Sequence, residues 1–328
     1  LDLHDIGIYP EKLATATDTS TPMDFDRVAS NQAAVTEDAF SKEPIDFSGL
    51  NAIDLDLELS INKLSSTAAS IADIYGHIVL ENGKLDIKPT RYTVDNDVIN
   101  NEVIIHSNTQ PPTVSFLAGG DDIDLGLLLA DSARKTSRVR GTMTASADLK
   151  SRGHSPAELA ANLDGEINVI TENARIDKSA LNLVTVDVIG WAISNMLSPN
   201  ADVNIDCAII IMHFNKGIGT TDLHIIDTPD TLIKIDARLD LVKQTMDIAI
   251  VPEHKVRLFK TKKKPMEIYG PIANPQYKLV SLKDLAHEAG RAWLLAPLTI
   301  STSLLNNITS LIVKPEESKP GSCDKFLK

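Results

Sequence analysis

The sequence predicts a mostly β protein built from antiparallel strands, on three observations. The first is a period-two pattern that recurs down most of the chain. Its clearest instance places Ile53, Leu55, Leu57, Leu59 and Ile61 on one side and Asp54, Asp56, Glu58 and Ser60 on the other, as a strand with one wet face requires. The second is turn chemistry. Asn82-Gly83 separates alternating runs at 76–81 and 84–88, and this dipeptide suits a two-residue hairpin because both positions need positive φ. The third is the stretch Gly141–Gly165, GTMTASADLKSRGHSPAELAANLDG, which passes from strand through a charged turn into a short helix.

The elements follow in order. Residues 1–48 open with one strand, LDLHDIGIY, and continue as a Thr-, Ser-, Asp- and Pro-rich connection expected to lie extended on a surface. Residues 49–280 form the sheet domain. Beyond the runs already named, strand patterns fall at 101–107, 113–117, 166–171, 205–212, 221–226, 232–241, 245–251 and 266–269. In the 141–165 stretch, Met143, Ala145, Ala147 and Leu149 share one face, and Thr144, Ser146, Asp148 and Lys150 the other. Ser155, Pro156 and Glu158 then make a capping box with proline at the first helical position, predicting a helix over 155–163. Two further helices are expected. The one near 124–135 has an acidic start and basic end that match the helix dipole. The one near 178–197, apolar around much of its circumference, is suited to burial or to plugging an opening.

Residues 281–328 are expected to hold C-terminal helices and an extended tail. Ala292 to Val313 carries no charge, the length of a bilayer crossing, but Pro297, Asn306, Asn307 and six Ser or Thr residues dilute it. An amphipathic or groove-packed helix fits better.

Composition excludes several function classes. A net charge of −13 is unlike a nucleic-acid footprint, so no nucleic-acid partner is expected. The eight histidines lack zinc spacing, and there is no nucleophile elbow, phosphate loop or dinucleotide fingerprint. No enzyme activity, metal or cofactor is therefore expected. The acid pairs Asp121-Asp122 and Asp54/Asp56 read as solubilising groups on wet faces. The basic run at 260–264 is a solvated hairpin tip or, through Lys260, Lys262, Lys263 and Lys264, a contact for anionic lipid headgroups.

Two questions stay open from the residues alone. Cys207 and Cys323 are either separate thiols or, in an oxidising compartment, a bridge tying the tail to the sheet. The apolar strand faces, rich in aliphatics with only 4% aromatic residues in the chain, could pack as a sandwich, close as a barrel or line an open trough.

The 141–165 stretch resembles the signature of AsmA-family envelope proteins. The likeness lies in the strand ending Asp148-Leu149-Lys150-Ser151, the turn Arg152-Gly153-His154-Ser155-Pro156, then Leu159 and the Leu163-Asp164-Gly165 close. FSKEPIDFSGLNAIDLDLELSINKL (40–64), IVLENGKLDIKP (78–89), Cys207, KPMEIYGPIANPQYKL (264–279) and the late Cys323-Asp324 agree in order, from about residue 40 to the end.

The resemblance implies a periplasmic protein of Gram-negative bacteria, held in the inner membrane by a helix upstream of residue 1. It further implies a curled antiparallel sheet forming a hydrophobic trough, the alternative being a sandwich-like core. Phospholipid would be the partner, with Ile53, Leu55, Leu57, Leu59, Met143, Leu149, Ile235, Leu239, Ile248 and Ile250 lining the trough and the 178–197 helix capping it. The oxidising compartment favours a Cys207–Cys323 disulfide. The competing expectation is a structural protein with a closed β core that docks outer-membrane assembly proteins. A carbohydrate-binding jelly roll is disfavoured, because Trp191 and Trp293 fall in helical patterns.

Overall fold

The computed structural model describes residues 38–65, 70–94, 97–125, 139–177, 202–255, 264–281, 284–285, 291, 294 and 322–327. The first strand pattern at 1–9, most of the helix expected at 124–135, all of that at 178–197 and most of 281–321 lie outside these residues.

Among the described residues, thirteen strands make one sheet. They are β1 (Leu55–Ser65), β2 (Ser70–Glu81), β3 (Lys84–Val94), β4 (Asp97–His106), β5 (Thr113–Asp124), β6 (Val139–Arg152), β7 (Asp164–Ile176), β8 (Val203–Asn215), β9 (Ile218–Asp227), β10 (Thr231–Asp240), β11 (Thr245–His254), β12 (Met266–Pro271) and β13 (Gln276–Leu279). Each pairs antiparallel with the next in chain order, leaving β1 and β13 as the edges of an open sheet. This unbroken meander excludes a jelly roll, which needs crossing connections. The short β13 carries no period-two signal long enough to read.

The turns follow their sequence chemistry. Asn82 and Gly83 take φ of 49° and 74° between β2 and β3, the type I′ signature. Lys216 and Gly217 do the same between β8 and β9, with φ of 47° and 73°. At the head of β7, Gly165 has φ +131°, and a Cβ there would stand 2.0 Å from the Asp148 carbonyl oxygen. Only glycine fits that close approach.

The capping box forms as read. The helix α1 (Pro156–Ala161) begins at an extended Ser155, whose hydroxyl accepts the Glu158 N–H at 3.2 Å. The Glu158 carboxylate reaches back to the His154 N–H at 2.7 Å, one residue earlier than the usual box. The segment 38–54 is anchored rather than loosely draped. Phe40 N–H donates to Gln244 Oε1, Ala157 N–H to the Ser41 carbonyl and Ile45 N–H to that of His154.

One correction falls at β1, which starts at Leu55 and not at Ile53. A 3₁₀ turn (Ser48–Asn51) ends just upstream, and the Asp54 carboxylate accepts the Asn82 N–H at 3.0 Å. These hold Ile53 off the ladder, 61% exposed.

A second correction concerns the tail, expected to be extended. Its last residues form a short helix, α2 (Asp324–Leu327), with an acid in the first turn. Cys323 is joined to Cys207 by a disulfide, with Cα atoms 5.1 Å apart, and Phe326 packs beside it against Ile209, Ile211, Leu223 and Ile225. Lys325 and Lys255 both pair with the fully buried Asp227. Further along the same outer face, Leu285 and Leu294 bury Ala249 and Val251.

Arg291, itself buried, binds Asp236 of β10 at 3.2 Å, Asp247 of β11 at 2.7 Å and Glu267 of β12 at 3.2 Å. Burial alone would raise the Glu267 carboxyl. Hydrogen bonds and charge from Lys278 and Arg291 outweigh it and hold the group below its ordinary range.

Two stability outcomes follow. Replacing both cysteines by serine opens a 116-residue separation and is expected to cost about 4 kcal/mol on chain-entropy grounds. The check is the denaturant midpoint with and without reductant, which should converge in the double variant. Arg291→Met removes one of the two cations on buried Glu267, which keeps Lys278 at 2.7 Å, and is expected to cost about 2 kcal/mol. The deficit should shrink on acidification as Glu267, whose depressed pKa makes its contribution one present at neutral pH and lost as pH falls, takes up its proton.

Candidate functional site

Because each pairing is antiparallel, directly opposed residues point to the same side, and a row can be followed across the sheet. It runs Leu57, Ile78, Ile87, Val103, Phe116, Leu149, Gly165, Phe214, Gly219, Leu239, Met246 and Gly270. Every member is apolar or glycine. The Gly219 position is filled by the ring of Phe214, where a Cβ would meet Phe214 Cε1 at 2.6 Å. A parallel row on the other side reads Glu102, Leu117, Asp148, Glu166, His213, Thr220, Arg238, Asp247 and Tyr269. The first row is thus apolar across twelve strands and the second mostly polar.

The apolar side is the inner face of the curl. Leu125, just past β5, packs against a core cluster to which Ile235, Ile248 and Ile250 of β10 and β11 and Met266 and Ile268 of β12 belong. The β10–β11 turn brings Leu241 opposite Val114 and Phe116 of β5.

Nine of the ten expected lining residues lie on this face: Leu55, Leu57, Leu59, Met143, Leu149, Ile235, Leu239, Ile248 and Ile250. Ile53 does not. The nine divide by exposure. Leu55 and Leu57, at the β1 edge, are 39% and 40% exposed, whereas Ile235 and Ile250 are 2% and 0%. The apolar face is open at the β1 end and a packed core at β10–β12. Of the headgroup lysines, Lys264 is exposed just before β12, and Lys260, Lys262 and Lys263 lie outside the described residues.

A pocket of about 380 Å³ opens on this face beneath α1. Phe116 and Leu149 make its floor, Pro156, Leu159 and Leu163 its roof, and Phe40 and Leu241 its sides. Sequence reading missed it, because its walls come from four separate parts of the chain. The apolar side of the α1 segment, Leu159 and Leu163, was the available signal.

Polar groups are disposed accordingly. On the outer face, His213 bridges Glu166 at 2.9 Å and Asp222 at 2.8 Å, tying β7, β8 and β9. On the inner face, His224 sits opposite Ile210 beside Ile226. Burial there lowers its pKa to about 4, and its Nδ1 has no hydrogen-bond partner among the described residues. Among those residues, no group of three or more His, Cys, Asp or Glu side chains could hold a metal ion.

The His224 environment predicts a pH dependence. Its folded pKa of about 4 lies below the ordinary 6.5, so the unfolded chain binds the proton more tightly and stability falls as pH drops from 6.5 to 4. The loss should reach at most about 3 kcal/mol. His224→Leu should leave the pH 7.5 denaturation midpoint nearly unchanged and flatten the curve between pH 6.5 and 4.

Comparison with known proteins agrees with this architecture. A family model described as AsmA family matches residues 1–223, so the resemblance read from about residue 40 extends further upstream. The chain is 22% identical over 261 residues to the AsmA family protein YhjG of Escherichia coli (strain K12), covering 78% of this chain and 36% of that protein. The chain thus spans about a third of that relative's length. No solved structure matches. With a family match over more than half its length, on an open antiparallel sheet with one apolar face, this chain belongs to the AsmA family.

Proposed function

We propose that this protein binds phospholipid acyl chains on the inner face of its sheet and passes them along that face, as part of the biogenesis of a Gram-negative envelope. The observation that carries the reading is the apolar row running without interruption from Leu57 to Gly270. Acyl chains need area and fluid contact rather than directional bonds, and aliphatic side chains supply both. Leu55 and Leu57 remain exposed at the β1 end of this face, as an open binding surface requires.

A periplasmic site of action fits the buried Cys207–Cys323 disulfide, since such bonds persist in oxidising compartments. Among the described residues no helix is long and apolar enough to cross a membrane. The inner-membrane anchor implied for the family is assigned, in this reading, to sequence upstream of residue 1.

A second reading is favoured by one observation, the burial of Ile235, Ile250 and Ile268 to 2% or less. In that reading the apolar face is a closed core, and the protein docks outer-membrane assembly proteins and holds no lipid.

Native mass spectrometry of protein purified from cells separates the two. Co-purifying phospholipid is expected, and its absence supports the docking scaffold. Leu57→Asp should fold with its stability changed by less than about 1 kcal/mol, as for other surface substitutions, and should lose most of its bound lipid. Ile250→Asp, at a fully buried position, should fail to fold.

A further inference from the structure

We propose that the pocket beneath α1 is a specific binding site for one hydrocarbon chain, in which the end of an acyl chain is held while the rest of its lipid lies on the inner face. The proposal rests on the lipid-binding reading above and adds a fixed site to what is otherwise a uniform apolar surface.

Size selects the occupant. The volume of about 380 Å³ lies near the bottom of the range for small-molecule pockets. At roughly 30 Å³ for a group of water's size, it admits about a dozen methylene-sized groups. That is most of one chain and excludes a second chain alongside it.

Chemistry disfavours polar ligands, since the one charged residue of the lining, Lys150, is paired with Asp148 at 3.7 Å. The end of a helix normally presents unpaired carbonyls, but those of Glu158, Leu159 and Ala160 in α1 are taken. The Glu158 carbonyl accepts the Asn162 N–H at 3.0 Å, and the Ala160 carbonyl accepts the Leu163 N–H at 3.2 Å. The Leu159 carbonyl accepts the hydroxyl of Ser151, which also belongs to the pocket wall. Roof and wall therefore satisfy each other and offer a ligand little to bond. Water entering such a space would lack the two or more polar partners it needs.

The frame keeps the pocket from collapsing. Backbone bonds run from the Leu163 carbonyl to Gly217 N–H and from the Gly217 carbonyl to Leu241 N–H, at 2.9 and 2.8 Å. These link the end of the helical segment to the β10–β11 turn. On the opposite side, Phe40 N–H is fixed to Gln244 and Ser41 to Ala157. Phe116 and Leu149 in the floor belong to the row that runs to Leu57, so a chain entering the pocket stays in contact with the inner face throughout.

The test is photocrosslinking with benzoylphenylalanine placed singly at Phe116 in the pocket or at Leu57 on the open end. Each protein is incubated with oleate or with dioleoyl phosphatidylglycerol vesicles, and adducts are identified by mass spectrometry. The proposal expects adducts at position 116 whose yield falls at least fivefold when Ala160→Trp fills the pocket, with the yield at position 57 unchanged. Leu163→Phe serves as the filling variant if Ala160→Trp does not fold. Adducts from both probes mean the site recognises the chain whatever its headgroup, and adducts from one alone assign it to that lipid class. Adducts at 57 but none at 116, or adducts at 116 insensitive to filling, overturn the pocket and leave the lipid-binding reading standing. Adducts at neither position overturn both.

Discussion

The constraint on which the molecule depends is that one row of side chains must stay apolar, in phase, over twelve strands, with no second sheet among the described residues to cover it. With a side-chain period of two, a slip of one residue would move an entire strand's apolar set to water. The sheet nonetheless contains register shifts, between Gly120 and Ile123 on β5 and between Lys234 and Arg238 on β10, among others. These two are in phase on both sides. Gly120 opposes Ala145 before the first shift and Ile123 opposes Met143 after it. Ile226 opposes Ile233 before the second, and Gly219 opposes Leu239 after it. The bulges bend the sheet without changing which residues face inward, so curvature is obtained while the apolar row stays whole.

The outer face solves a different problem. Over β1–β7 it is largely polar and meets water. From β8 to β11 it turns apolar, with Ile209, Ile211, Leu223, Ile225, Ala249 and Val251 buried, and there the C-terminal segment covers it. Along these strands both faces are therefore largely buried. The run IDCAIIIMHF in β8 records this, since a strand buried on both faces loses its alternation. Covering a sheet with a segment so far along the chain is entropically costly. The attachment is correspondingly strong: a disulfide, a buried arginine on three carboxylates, and a lysine on buried Asp227.

Much of the fold was legible because its rules are local. Alternation located the strands, Asn82-Gly83 located a hairpin, and Ser155-Pro156-Glu158 located α1 to within two residues. The sharing of one face by Leu57, Leu149 and Leu239 was also readable, since each is apolar at its own strand's inward phase. What was not legible depends on contacts distant in sequence. Ile53 fits its strand by period alone and is displaced by Asp54 capping a turn 28 residues away. The difference in exposure between Leu57 and Ile250 cannot be read from alternation, which is the same in both strands. Arg291 carries no signal of its three partners because they come from β10, β11 and β12.

The uneven burial of the inner face is best understood as a division of labour between stability and exposure. An apolar face left open contributes little to folding, so a sheet open along its whole length would have to be held by its hydrogen bonds alone, whose net value per bond is small. Here the closed portion, β8–β12 with its C-terminal cover, buries nearly all of the fully inaccessible side chains. That portion can anchor the ladder from one end, and each strand added toward β1 then needs only to pair with a neighbour already in place. Leu55 and Leu57 can remain exposed because stability is supplied elsewhere, an arrangement in which the binding surface is free to be empty or filled without the fold depending on which.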